Sequence, residues 1–178
     1  NNFIHDSLFD NVSMITISHG HYDHCMDIQN FLPNENTKIV SDKSNLLMLS
    51  SEIQKNQKVE IKHDIETDWI YDQDSTFRVL PIASVHAPHI ANITFLDGIY
   101  EKALTEFPQK LWQWKMGKCN SFLVDVLQDD SVVYRLSLYT HLRAHETVLD
   151  LVCRLLLEKK KYYTIYSLLS YIYVHILT

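Results

Sequence analysis

The stretch that decides the fold is Val12-Ser-Met-Ile-Thr-Ile-Ser18, followed directly by His19-Gly-His-Tyr-Asp-His24. Its first part is a short β-branched apolar run, which is typical of a buried strand. The strand then delivers three histidines and an aspartate within six residues. The chain has ten histidines, so isolated ones arise easily by chance. Four ligand-type residues in this order at the end of a strand favour a metal site over an accidental cluster.

The spacing of these residues indicates how they would share metal ions. In extended chain, residues two apart point the same way, so His19 and His21 can converge on one ion. A turn after His21 would then present Asp23 and His24 to a neighbouring position. Imidazole nitrogens with a carboxylate suit zinc, and also iron or manganese.

The elements that follow are predicted to alternate between helix and strand before two hairpins. This order indicates an α/β fold with a mixed sheet. The predicted strands and helices are a strand over 12–18, a helix over 23–32, a strand over 37–40, a helix over 44–53, a strand over 59–62, a hairpin of 69–71 with 76–85, and a hairpin of 121–126 with 132–138. The uncharged stretch 162–178 is shorter than the roughly 20 apolar residues of a membrane span, and it is interpreted as a buried helix followed by a strand.

The pattern His19-x-His21-x-Asp23-His24 resembles the signature of the metallo-β-lactamase fold superfamily of metal-dependent hydrolases. The resemblance implies an αββα four-layer sandwich with mixed sheets. It implies one domain over 1–178 that lacks the family's opening strands, and hence a fragment or an abbreviated member. It also implies that His19 and His21 hold one metal together with a third histidine from a later strand end. Asp23 and His24 would hold the second metal.

The third histidine is assigned to His86, which closes the predicted strand over 76–85. His89 competes with it, but a residue that closes a strand is held more rigidly than one beyond Pro88. The remaining ligands of the second metal are left open. The family's bridging aspartate is missing after the second hairpin, and Asp97 comes too early. The alternatives downstream are His141, His145 and His175.

Composition and charge restrict the class of protein. The chain has 178 residues, enough for one domain, and a formal net charge of -6, which gives no general reason to bind nucleic acid. Its three cysteines are widely spaced, which favours free thiols in a reducing compartment. No signal-peptide pattern is present. We therefore expect a cytoplasmic protein with a small-molecule substrate and with neither nucleic acid nor membrane as a partner.

The resemblance implies a dinuclear site, with two zinc ions, that activates water for attack on an ester, amide or phosphodiester. Asp23 would be the catalytic residue that orients the attacking hydroxide. Two alternatives stay open: a mononuclear iron oxygenase that uses His19, His21 and His86, and a degenerate binding or assembly module. Cys25 is expected to pack as a small apolar residue. The aromatic residues of 107–114 either pack on the core or wall a substrate pocket.

Overall fold

The computed structural model describes residues 12–31, 35–63, 68–86 and 95–138. The strands in this part of the chain are β1 (Met14–Thr16), β2 (Lys38–Ser41), β3 (Lys58–Glu60), β4 (Ile70–Tyr71), β5 (Phe77–Ser84), β6 (Cys119–Gln128) and β7 (Ser131–Leu138). The α-helices are α1 (Tyr22–Cys25) and α2 (Lys43–Met48), and short 3-10 helices lie at Ile28–Phe31, Lys55–Gln57 and Leu111–Gln113.

The strands form two separate sheets. The first sheet is parallel, with the order β1-β2-β3, and the second is antiparallel, with the order β4-β5-β6-β7. β6 and β7 are joined by Asp129 and Asp130, both at positive φ, the backbone shape of a tight two-residue hairpin turn. Short aspartates tolerate this left-handed conformation better than branched residues do.

The first sheet is covered on both faces. Side chains alternate along β2, so Ile39 and Val40 point to opposite sides. Ile39 joins a buried cluster with α2 and Trp114, whereas Val40 packs with residues of the second sheet such as Phe122. The described chain is thus layered as short helices, a parallel sheet and an antiparallel sheet. β1, which carries the apolar run, lies in the parallel sheet, the middle one of these three layers.

The expected αββα four-layer sandwich with mixed sheets is wrong. The described residues are 34% strand and only 17% helix, and neither sheet mixes parallel with antiparallel pairs. The helices are short, and in α2 a distant contact lies at the end of the helix. The helix expected over 44–53 ends at Met48, where the carbonyl oxygen of Leu47 accepts the N–H of distant Leu104 at 3.0 Å. The helix expected over 23–32 is one turn of α-helix followed by a 3-10 turn.

The individual predicted strands within the described residues are confirmed, with ends shifted by one or two residues. Both predicted hairpin pairings are also confirmed, as β4 with β5 and β6 with β7. The interpretation of 162–178 lies outside the described residues. Where the structure does describe the chain, it holds no helix with the length and apolar character needed to span a membrane.

Candidate metal centre

The end of β1 is held from both sides by backbone hydrogen bonds. Ile17 N–H donates to the carbonyl of Val40 in β2 at 3.0 Å. The carbonyl of Ser18 accepts the N–H of Asn120 in β6 at 2.8 Å, and Gly20 N–H donates to Met116 at 2.7 Å. The segment that carries His19 and His21 therefore lies between the two sheets. Its backbone position is determined by contacts on each side.

His86 reaches the same place from the second sheet. It follows β5, whose last residue Ser84 pairs with Cys119 at the start of β6. Because the next residue, Asn120, is hydrogen-bonded to Ser18, the end of β5 and the end of β1 meet. The structure thus brings together His19, His21 and His86, residues that are up to 67 positions apart in sequence (86 − 19).

The three imidazoles form a tight cluster. One ring nitrogen from each of His19, His21 and His86 lies within 4.8 Å of the others. The ring centroids are 4.7 Å apart for His19 and His21, 4.7 Å for His19 and His86, and 4.9 Å for His21 and His86. His19 and His21 are buried, with 2% and 5% exposure, and His86 is half-buried. The site is therefore open on the side of His86.

The donor set fits a divalent transition metal. A neutral imidazole carries hydrogen on one nitrogen and keeps a lone pair on the other for a metal. Zinc binds histidine nitrogen at about 2.0–2.1 Å, so tetrahedral ligands lie about 3.4 Å apart. Closing the observed cluster around an ion requires shifts of about an ångström, which side-chain rotation supplies.

His24 and Asp23 lie next to this cluster without joining it. The His24 ring centroid is 4.0 Å from that of His19, and its Nε2 is 3.6 Å from Oδ2 of Asp23. The side chain of His24 is 28% exposed, and that of Asp23 is 51% exposed. Burial lowers the pKa of His24; Asp23 opposes this shift, and His86 adds to it. A distance of 3.6 Å is close to the separation of two ligands on one zinc ion.

Other sequence candidates are placed as follows. Asp97 is exposed and accepts the N–H of Gly98. His63, interpreted from the sequence as a surface or helix-contact histidine, has a buried Nε2 and interacts with Asp42. Asp42 and His63 line a cavity of about 670 Å³ beyond the ends of β2 and β3, which the three clustered histidines do not line. The remaining candidates lie outside the described residues: His89, His141, His145 and His175.

Cys25 and the aromatic segment have structural roles. Cys25 is buried, its thiol donates to the carbonyl of His19 at 3.4 Å, and burial raises its pKa well above the usual range. Trp114 and Phe107 pack edge to face in the core at 5.3 Å, whereas Trp112 is exposed beneath the ammonium of Lys110. The core-packing interpretation is thus confirmed for Phe107 and Trp114.

Two further residues contact the cluster and were not predicted from the sequence. The hydroxyl of Ser18 contacts both His19 and His24. The sulfur of Cys119 accepts the backbone N–H of His86, and burial raises the pKa of this thiol to about 11. Ser18 had a usable signal, since it directly precedes the first histidine. Cys119 had none, because its proximity depends on the pairing of β5 with β6.

No family model matches the chain, and no curated protein or solved structure matches it either. The chemistry of the site therefore rests on its own residues and geometry.

Proposed function

We propose that this protein is a metal-dependent hydrolase that binds zinc through His19, His21 and His86 and hydrolyses a small ester, amide or phosphodiester. The observation that carries the proposal is the convergence of these three imidazoles, with ligand atoms within 4.8 Å of one another. The resemblance of the His19–His24 motif to the metallo-β-lactamase superfamily supports the same chemistry. Iron and manganese suit the same ligands.

The placement of the histidines supports a metal better than a purely structural role. A buried polar side chain usually packs beside one or two hydrogen-bond partners. Here three rings from two sheets turn toward one point, and a fourth ring, His24, lies 4.0 Å from His19. Imidazole nitrogens that converge from separate parts of the chain are the ligand arrangement that zinc sites use.

The roles of the residues follow from their positions. When bound, zinc supplies Lewis acidity and brings the pKa of water near 7. His19, His21 and His86 hold the ion, and Asp23 with His24 hold a second one. Asp23 is half-exposed, so its carboxylate is accessible to solvent and can accept a hydrogen bond from the attacking water. No serine or thiolate nucleophile is required, and the raised pKa of the Cys119 thiol agrees with this.

The test is metal content per chain by elemental analysis of protein loaded with zinc and then desalted. Wild type should retain about two ions, His24→Ala about one, and His86→Ala fewer than wild type. His63→Ala is the matched control, because it replaces a partly buried histidine outside the cluster and should leave the content unchanged. Wild type without bound metal would overturn the proposal.

Activity is tested on the same proteins with a p-nitrophenyl ester and bis(p-nitrophenyl) phosphate. Asp23→Ala should reduce hydrolysis more than it reduces metal at the three-histidine position. If the two fall together, Asp23 belongs to the first position and the assignment of roles is wrong.

One alternative is favoured by a specific observation. Among the described residues, the only group of three or more ligand-type side chains close enough to share an ion is His19, His21 and His86. A single three-histidine position also suits a mononuclear iron oxygenase. One iron per chain, unchanged in His24→Ala and accompanied by no hydrolysis, would select that alternative. One bound ion with no activity of either kind would instead indicate a binding module.

A further inference from the structure

We propose that Ser18 is a positioning residue that links the two metal positions by holding His19 and His24 in the tautomer that leaves Nε2 of each ring available as a ligand atom. The inference rests on the proposed function, since it concerns how this chain prepares the same site.

Ser18 lies between the two rings. Its Oγ is 3.0 Å from Nδ1 of His19 and 3.3 Å from Nδ1 of His24. Ser18 is 6% exposed, so water competes little for these contacts. Its backbone is held in place because its carbonyl accepts the N–H of Asn120 and the preceding residue is bonded to β2. The hydroxyl position is thus set by the junction of the two sheets.

The placement of the ring hydrogens determines whether Nε2 of each ring can bind an ion. A neutral imidazole carries one N–H, and a hydroxyl oxygen has two lone pairs. If both Nδ1 atoms carry the hydrogen, both rings donate to Oγ, and the hydrogen of Ser18 turns away from them. Each Nε2 then keeps its lone pair. If Ser18 instead donated to one ring, Nε2 of that ring would carry the hydrogen and could not bind an ion.

The orientation of His24 agrees with this choice. Its Nδ1 faces Ser18 and its Nε2 lies 3.6 Å from Oδ2 of Asp23. Nδ1 therefore positions the ring, and Nε2 points toward the carboxylate with which His24 would share an ion. Nδ1 of His19 also faces Ser18, and Nε2 of the same ring is buried. Partners of this kind raise metal affinity by fixing both ring and tautomer.

The first experiment measures zinc affinity by competition with a chromophoric chelator. Loss of a partner that orients a ligand typically weakens metal binding about 10- to 100-fold, and we expect this range for Ser18→Ala. Ser18→Thr keeps the hydroxyl and should stay within about threefold of wild type. Ser41→Ala is the matched control. Ser41 is also fully buried, and its hydroxyl donates to Ile17 and accepts from Asn45, so the control loses comparable hydrogen bonds away from the rings.

The second experiment reads the tautomers by ¹⁵N–¹H correlation spectra of the imidazoles in zinc-loaded protein. Wild type and Ser18→Thr should carry hydrogen on Nδ1 of His19 and His24. Ser18→Ala should show loss or mixing of this state for His24. Far-ultraviolet circular dichroism checks that each variant is folded, which keeps lost affinity separate from lost structure.

The outcomes are distinguishable. Wild type that binds no zinc overturns the proposed function and this inference with it. Wild type that binds zinc, together with Ser18→Ala that binds it equally and keeps the same tautomers, overturns this inference alone. Equal weakening by Ser41→Ala and Ser18→Ala also overturns it, because the effect would then come from general packing.

Discussion

Gly20 shows how much a single residue contributes to the histidine motif. A Cβ atom at this position would overlap the backbone oxygen of Lys115 and Oδ1 of Asn45. Backbone oxygen cannot rotate away, so a side chain would force His19 and His21 out of their shared direction. The absence of a side chain between His19 and His21 is therefore a requirement of packing.

We expect Gly20→Ala to lower the free energy of unfolding by about 2–3 kcal/mol, the upper range for forcing an extra methyl group into a packed site. Equilibrium urea unfolding measures this change. Gly98→Ala is the control: its Cβ would meet nothing closer than 3.4 Å, although its φ of 135° still strains the chain. The Gly20 variant should also bind zinc more weakly, and the Gly98 variant should not. A Gly20→Ala protein with wild-type stability would contradict the contact argument.

At the scale of elements, α2 depends on Asp42. This residue directly follows β2 and caps the helix, since its carboxyl accepts the N–H groups of Ser44 at 2.9 Å and Asn45 at 3.3 Å. Burial raises the pKa of Asp42, and these hydrogen bonds oppose the shift. A raised folded-state pKa means that the carboxyl stabilises the fold most below pH 3.8 and less as pH rises through the folded-state pKa.

Two substitutions at Asp42 separate the effect of the helix cap on stability from the effect of the buried charge. Asp42→Ala removes the cap and should cost about 1–2 kcal/mol at pH 7. Asp42→Asn keeps an accepting oxygen and loses the buried charge, so its stability relative to wild type should improve between pH 4 and pH 7. Urea unfolding at both pH values measures the difference. A relative stability of Asp42→Asn that is independent of pH would refute the role of burial.

In the second sheet, the pKa of Asp125 in β6 is shifted in the direction opposite to that of Asp42. This carboxylate is fully buried and contacts Arg135 at 2.6 Å and Arg78 at 2.9 Å. The hydrogen bond from Arg135, followed by that from Arg78, lowers its pKa against the effect of burial. Because its folded-state pKa is lowered, the Asp125 carboxylate stabilises the fold above pH 3.8. This stabilisation is lost as pH falls through the folded-state pKa.

We therefore expect Asp125→Asn to lower the free energy of unfolding by about 2 kcal/mol at pH 7, because it removes the negative charge and one of the two carboxylate oxygens that accept from Arg78 and Arg135. The difference from wild type should shrink below pH 3.8, in contrast to Asp42. Urea unfolding of wild type and Asp125→Asn at a series of pH values measures the cost at pH 7 and its decrease at low pH. Asp74→Asn, at an exposed aspartate of the β4–β5 turn, is the control and should change little. A cost that persists unchanged at low pH would contradict the ion-pair account.

At the scale of the whole molecule, the proposed metal joins the two sheets. His19 and His21 follow β1 of the parallel sheet, and His86 follows β5 of the antiparallel sheet. Zinc should therefore stabilise both sheets together. At 100 times its dissociation constant, the gain in unfolding free energy is about 2.7 kcal/mol. Thermal unfolding with zinc and after chelation measures it, and His86→Ala should abolish the gain. Equal gains in wild type and His86→Ala would place the ion elsewhere.

The strands and the local part of the candidate site could be predicted from the amino-acid sequence. A short β-branched apolar run predicts β1, and the spacing of His19, His21, Asp23 and His24 is local, so both can be inferred without distant contacts. The choice of His86 followed from its place at the end of a predicted strand, and the structure brings it beside His19. Metal binding itself stays a prediction.

The sheet arrangement, the helix ends and the partners of the histidines depend on contacts between residues far apart in sequence. α2 stops where Leu104 reaches Leu47, and Ser18 is held by Asn120, 102 positions away (120 − 18). Such contacts depend on how the chain folds back between the sheets, which residue periodicity does not record. Ser18 beside His19 and His24, and the empty space required at Gly20, are consequences of that packing.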